Sequence, residues 1–358
     1  MNAAGSTAEL VGQALAALLV AEESNESDDW DEYGALLWRA AADGESSLSL
    51  GLELTGSKDP VEREVGCDLL GNASDQHEAV RAESAAALAE LAGRESENRV
   101  LESLAQAIGT TRDRRAVPVL LALTGHPDAD VRRRTACAFA GVATGSADGP
   151  DVHALIALTR DADPEVRDWA TFTLGFQLDA DSPAIRAALW ERTGDDSAEA
   201  REEGIRGLAR RHDPRAVPLL TELLRDPEGA LTLTFDAARI MGVPQLLPAL
   251  QDYDPENPGV AAALNACDPA RRARLDADAW ELVCELHRRR PDLGAAVLMS
   301  RFDDGLTLHL ATGPEASGYC VEALLARAGG DVAGAVELVV SDLPGSGTAA
   351  TAGAPSQL

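Results

Sequence analysis

From about residue 60 onward the apolar positions of this chain recur in one phrase. An apolar residue is followed, usually, by Arg, and then by a Leu-like residue with Gly or Ala after it, eight and nine positions on. Val166-Arg167-Asp168-Trp169…Leu174-Gly175 is the clearest copy. Val131-Arg132…Phe139-Ala140, Ala200-Arg201…Leu208-Ala209 and Leu233-Thr234…Met241-Gly242 repeat it. Two earlier copies are weaker: Val100-Leu101…Ile108-Gly109 lacks the Arg, and Glu62-Arg63…Leu70-Gly71 lacks the apolar first residue. The Leu-like marker falls at 70, 108, 139, 174, 208 and 241, so that after the first interval the steps are 31, 35, 34 and 33. Val80-Arg81…Leu88-Ala89 is out of step and reads as a first helix that carries the phrase. A second marker, Arg115-Ala-Val-Pro118, returns three repeats later as Arg215-Ala-Val-Pro218. A period of this length in an Ala/Leu-rich chain predicts an all-α fold, an α-solenoid of stacked antiparallel helix pairs with atypical helical caps.

Each unit reads as a first helix (116–124 or 216–224), an acidic turn (126–130, 161–164 or 195–197) and a second helix bearing the phrase. The turn chemistry has a cause: Asp or Ser accepts from the open N–H groups of the second helix, acids favour its positive end, and Pro sits in the first turn, where no N–H is needed. The Gly or Ala after the marker predicts a close approach of neighbouring helices. The recurring Arg predicts a ladder to acids of an adjacent turn.

The same pattern divides the chain. Residues 1–29 read as an N-terminal amphipathic helix and an acidic linker, with seven acids and no base over 22–32. Residues 30–76 read as capping helices and the first repeat, and 77–251 as the regular array. Residues 252–312 read as degenerate C-terminal helices, including an amphipathic helix over 276–290 that Pro291 stops. Residues 313–343 read as a small helical hairpin, and the Gly/Ser/Thr/Ala/Pro tail from 344 to 358 as disordered.

Composition narrows the partners. The core must be aliphatic, because aromatics make up only 4% of the chain. A net charge of −29 repels phosphate backbones and disfavours nucleic acid. Lys58 is the only lysine, a skew that fits a high-GC coding bias or a high-salt proteome equally. Five scattered cysteines without a Cys-x-x-Cys point to a reducing compartment, hence the cytoplasm. No stretch approaches the ~18 apolar residues of a membrane span.

The repeat resembles the bacterial HEAT repeat, in particular the HEAT-like type of phycobilisome lyases, over roughly 58–251 and most strongly over 111–225. That resemblance implies a right-handed superhelix with the second helices on the concave side. It is specific for fold and unspecific for activity. Deoxyhypusine hydroxylase, a relative of this repeat class, uses several His-Glu dipeptides to hold two irons; this chain has one, His77-Glu78. Bilin chemistry, as in the lyases, implies a tetrapyrrole-sized groove and a phycobiliprotein partner, for which the residues give no separate sign. HEAT-like DNA-lesion glycosylases carry a basic concave face, whereas the basic runs here (132–134, 288–290) lie among acids. No paired-histidine metal motif, nucleophile elbow or phosphate-cradling loop is present, so no catalytic residue, metal or cofactor is expected.

One position stands apart. Trp169 lies three residues after Val166, where neighbouring repeats carry Arg134 and Glu203, so it is expected to be partly exposed on or beside the inner groove. Exposed Trp is a frequent binding anchor, although the same side chain could fill a gap against the next helix. Thr173 and Gln177 fall on its side of the helix, Asp168 lies beside it, and Glu202, Glu203 and Arg206 are on the next second helix. These seven residues form the candidate protein-binding site. The expected function is a non-enzymatic scaffold for a protein partner with a basic patch. The alternatives are a lyase- or hydroxylase-class enzyme or accessory, and a solenoid that contacts or mimics nucleic acid.

Overall fold

The computed structural model describes residues 5–24, 27–226, 232–298, 306–312 and 315–343. The chain divides into two compact units near residue 210.

The first unit begins with α1 (Thr7–Ser24) and α2 (Ser27–Ala40). Leu10, Val11, Ala14 and Leu18 of α1 pack with Tyr33, Leu36 and Leu37 of α2. The acidic stretch expected as a linker is therefore mostly helix: Asp28 and Asp29 occupy the first turn of α2, where the helix dipole favours negative charge. Antiparallel pairs follow: α3 (Gly44–Thr55) with α4 (Pro60–Gln76), α5 (Arg81–Ala92) with α6 (Asn98–Thr111), α7 (Val117–Leu123) with α8 (Ala129–Val142), α9 (Pro150–Leu158) with α10 (Pro164–Phe172), and α11 (Pro183–Arg192) with α12 (Ala198–Arg210). The second helices α4, α6, α8 and α10 lie side by side.

The phrase explains this stacking residue by residue. Its first apolar residue and its Leu-like marker are buried in four successive copies, Val100 with Ile108, Val131 with Phe139, Val166 with Leu174 and Ala200 with Leu208, while in the last copy Met241 is buried and Leu233 half-buried. The second helices α4, α8, α10 and α12 start on a side-chain cap, whereas Glu97 before α6 makes no such bond. Asp128 accepts from the Asp130 and Val131 amides, Asp163 from those of Glu165 and Val166, and Ser197 from that of Ala200. The small residue after the marker permits close contact: a methyl group on Gly109 would sit 3.1 Å from Ala138 Cα, and one on Gly175 3.2 Å from Gly207 Cα.

The predicted arginine ladder is present. Arg63 binds Glu95, Arg132 binds Asp161 and Arg167 binds Asp195, each through two guanidinium nitrogens to both carboxylate oxygens. The remaining nitrogen of each arginine donates to two carbonyls in the turn before its own helix, such as Asp161 and Ala162 for Arg167. The acceptor carboxylate also takes an amide two residues ahead, Asp163 N–H on Asp161 and Ser197 N–H on Asp195. One side chain thus ties its own turn to the next, and bidentate geometry makes the link directional.

The second unit contains α13 (Ala216–Arg225), α14 (Thr232–Met241), α15 (Leu247–Leu250), α16 (Pro258–Cys267) and α17 (Pro269–Arg289). After α17 the chain departs from the all-helical expectation for 252–312 and 313–343. Strands β1 (Gly294–Leu298), β2 (Thr307–Thr312) and β3 (Glu315–Cys320) form an antiparallel sheet, followed by α18 (Val321–Arg327) and α19 (Val332–Asp342). The cause is a period of two: Leu308 and Leu310 are buried, while His309 between them is exposed. Those leucines join Leu282 and Leu286 of α17, Leu324 of α18, and Val336 and Val339 of α19 in one core. The expected tail lies outside the described residues. No helix among the described residues is long and apolar enough to cross a membrane.

Candidate functional site

Trp169 is 39% exposed near the end of α10. Its indole meets Phe172 edge-on, with centroids 5.8 Å apart, and Phe172 stacks on Phe176 at 5.9 Å. The Arg206 guanidinium lies over the Phe176 ring, 3.4 Å from its centroid, and pairs with Glu203 at 3.7 Å. A continuous aromatic–cation stack therefore runs from the exposed indole to the next second helix. The backbone beneath it changes register: residues Thr173–Gln177 form a π-helical turn in which Leu178 N–H donates to the Thr173 carbonyl at 3.1 Å. Such turns are rare, and they re-aim the side chains that they carry.

Four of the other sequence-predicted residues are wholly or partly accessible beside this stack. Gln177 is exposed, and Asp168, Glu202 and Arg206 are half-buried. Burial pushes the Asp168 carboxyl up to about 6, helped by the nearby charges of Glu199 and Glu165. Burial also raises Glu202. Two residues differ from the expectation of an accessible face. Thr173 is buried, with its hydroxyl unpartnered, and Glu203 is only 7% exposed. A charged residue at this repeat position thus does not by itself mark exposure, because Arg206 supplies a counter-charge that lets Glu203 go inside.

A second feature was not anticipated. In the first unit a cavity of about 650 Å³ lies over α4, α6 and α8, with α2 as its wall. Tyr33 donates to Asp68 Oδ2 at 2.6 Å, Arg99 pairs with Glu64, and Arg134 donates to Gln106 Oε1 at 2.9 Å. Trp30 lies edge-on to Tyr33 at 6.2 Å. Burial raises the Asp68 and Glu102 carboxyls from their ordinary values, the second also through Asp130, while the charge of Arg134 partly offsets both. The signal for this cavity was in the repeat frame. Ser103 and Arg134 occupy the same position in their phrases as Trp169 does, and both line the cavity. The wall from α2 could not be read from the repeat, because α2 stands outside it.

Among the described residues, Glu102, Asp128 and Asp130 are the one acid group close enough to share an ion, with oxygens within 4.8 Å. All are carboxylates, and Asp128 already accepts from Asn98 and caps α8. The thiols of Cys67, Cys137 and Cys267 are raised by burial, which keeps them protonated and unreactive.

A model of HEAT repeats matches residues 49–140 and 152–238, half of the chain. The protein belongs to the HEAT-repeat family. Among solved structures, E. coli YibA is similar to this HEAT-repeat chain at 22% identity and a TM-score of 0.52, over 74% of this chain and 98% of YibA. The CpcE–CpcF complex of phycocyanin lyase from Nostoc matches more loosely, at 18% identity and a TM-score of 0.42, over 61% of this chain and 86% of that one. Human deoxyhypusine hydroxylase matches at 18% identity and 0.29, over 73% and 96%. Identities this low speak to the fold alone. No curated protein matches the sequence.

Proposed function

We propose that this HEAT-repeat chain is a cytoplasmic, non-enzymatic scaffold that binds a protein with a basic patch along the face of its second helices. The observation that carries this reading is the exposed Trp169 at the head of a stack braced by Phe172, Phe176 and Arg206, with the carboxylates of Asp168 and Glu202 beside it. A large side chain held rigid and half in solvent loses little entropy on binding. The net charge of −29 supports a basic partner, since opposite fields speed encounter and make association salt-sensitive. Stacked repeats offer extended surfaces of this kind.

The test is affinity capture, identification of the partner by mass spectrometry, and titration of the purified pair. Association should weaken as salt rises, and Trp169→Ala should cost more than ~1 kcal/mol. A partner that binds equally well at high salt and to the Trp169→Ala protein removes both supports. A purified preparation with stoichiometric metal or a visible absorbance band would turn the reading toward an enzyme.

A further inference from the structure

The cavity beside α2 has a definite electrostatic demand. Its lining holds four carboxylates against two guanidinium groups. One arginine is already committed, since Arg99 closes on Glu64. Arg134 reaches Gln106 rather than a carboxylate. Asp68 takes its hydrogen bonds from neutral hydroxyls, Tyr33 and Ser103, with Arg134 and Arg99 acting on it only through their charge. Glu102 has no ion pair within 4 Å among the described residues and instead faces Asp128 and Asp130. A cation that enters therefore meets two carboxylates that the fold has partly desolvated and that feel Arg134 at a distance without closing an ion pair on it. One wall is aromatic: Trp30 is 41% exposed and is set edge-on against the buried Tyr33. An indole face beside carboxylates is a favourable surround for a guanidinium or ammonium group. The volume of about 650 Å³ is several times that of one side chain and suits a short peptide segment.

We propose that this cavity receives an arginine or lysine side chain of a partner polypeptide, with Asp68 and Glu102 as counter-ions and Trp30 as the aromatic wall. The inference deepens the scaffold reading and rests on it: Trp169 would be one anchor on the partner, and this cavity a second one that selects for positive charge. A peptide source is favoured over a free polyamine by two amides in the lining: beyond the bond from Asn72 Nδ2 to the Asp68 carbonyl and the one Gln106 Oε1 takes from Arg134, Asn72 Oδ1 and Gln106 Nε2 offer an acceptor and a donor suited to a peptide backbone.

The full-length chain, labelled with ¹⁵N, is titrated with acetyl-arginine amide while the indole N–H resonance of Trp30 is followed, assigned by its loss in Trp30→Phe. Acetyl-citrulline amide, which has the same shape without the charge, and spermidine serve as parallel probes. Acetyl-arginine amide should give a saturable shift and bind about tenfold more tightly than the citrulline probe. Asp68→Asn and Glu102→Gln should each weaken it several-fold, while Glu256→Gln, an exposed carboxylate of the second unit, leaves it unchanged. Glu102 is half-buried and not bonded into the core, so its variant keeps the test informative should Asp68→Asn lose helix content. Equal binding of the citrulline probe, unchanged affinity in both acid variants, or no saturable shift overturns the proposal. Saturation by spermidine alone overturns the peptide source. The titration contains no partner protein, so its failure removes the cavity's role and leaves the Trp169 test standing.

Discussion

Arg167→Met is expected to cost this protein about 2–3 kcal/mol of stability, and the structure shows where that figure comes from. Arg167 places Nε and Nη2 on Asp195 at 2.9 and 2.8 Å, and Nη1 on the carbonyls of Asp161 and Ala162 at 3.1 Å each. The two side chains are only 16% and 3% exposed. Breaking a buried pair costs ~3–5 kcal/mol, because the charge left behind has lost its water. Asp195 keeps a second partner, Arg192 at 2.7 Å, which lowers the cost here. Met retains the aliphatic stem, so that the loss reports on the guanidinium rather than on packing. A neighbouring pair in the same interval is the control. Arg160 binds Glu191 at 2.6 Å, but the two side chains are 47% and 45% exposed, and exposed pairs contribute ~0–1 kcal/mol. The assay is urea unfolding followed by helix content and by tryptophan fluorescence, with Trp169 on α10 and Trp190 on α11 as local reporters. A double-mutant cycle with Asp195→Asn should give a coupling above ~1 kcal/mol. Acid adds an independent check. The hydrogen bonds from Arg167 hold the Asp195 carboxyl down to about 2, against 3.8 when unfolded. That contribution is fully present above pH 3.8 and is lost as pH falls through about 2; the Met variant should lose part of it. If Arg160→Met proves as costly as Arg167→Met, or if the latter costs under ~1 kcal/mol, the ladder is not what joins these repeats.

Two further outcomes are expected. Gly141→Ala would set a methyl carbon 1.9 Å from the Gly109 carbonyl oxygen, so the helix-propensity gain of ~1 kcal/mol should be overwhelmed by strain of about 3 kcal/mol or more, while Gly12→Ala, in open space on α1, should stabilise by ~0.5–1 kcal/mol; paired denaturation curves decide this. Asp168 has its folded pKa raised to about 6 by burial, so its ionisation opposes folding: stability present below pH 3.8 is lost as pH rises through about 6. Asp168→Asn should therefore raise the melting temperature above pH 6 and leave it unchanged below pH 3.8, and a rise of the same size at both would refute the shift.

The sequence by itself determined the repeat. The buried positions, the Asp and Ser caps, the close contact at Gly109 and Gly175 and the Arg167–Asp195 link all follow from spacing, because neighbouring units present the same positions to each other and a local period becomes a contact. Tertiary structure decided what the period does not encode. Glu203 is buried beside Arg206 of its own helix, and Arg206 is itself held over the Phe176 ring from the preceding repeat. The cavity exists because α2, which carries no copy of the phrase, stands against α4 and brings Trp30 and Tyr33 over Asp68. The strands at 294–320 did leave a trace, the alternation through Leu308 and Leu310, but it spans too few residues to fix a sheet without the helices that cover it. Repetition carries information between units that are alike; where unlike elements meet, only their packing settles which side chains are buried, paired or left facing solvent.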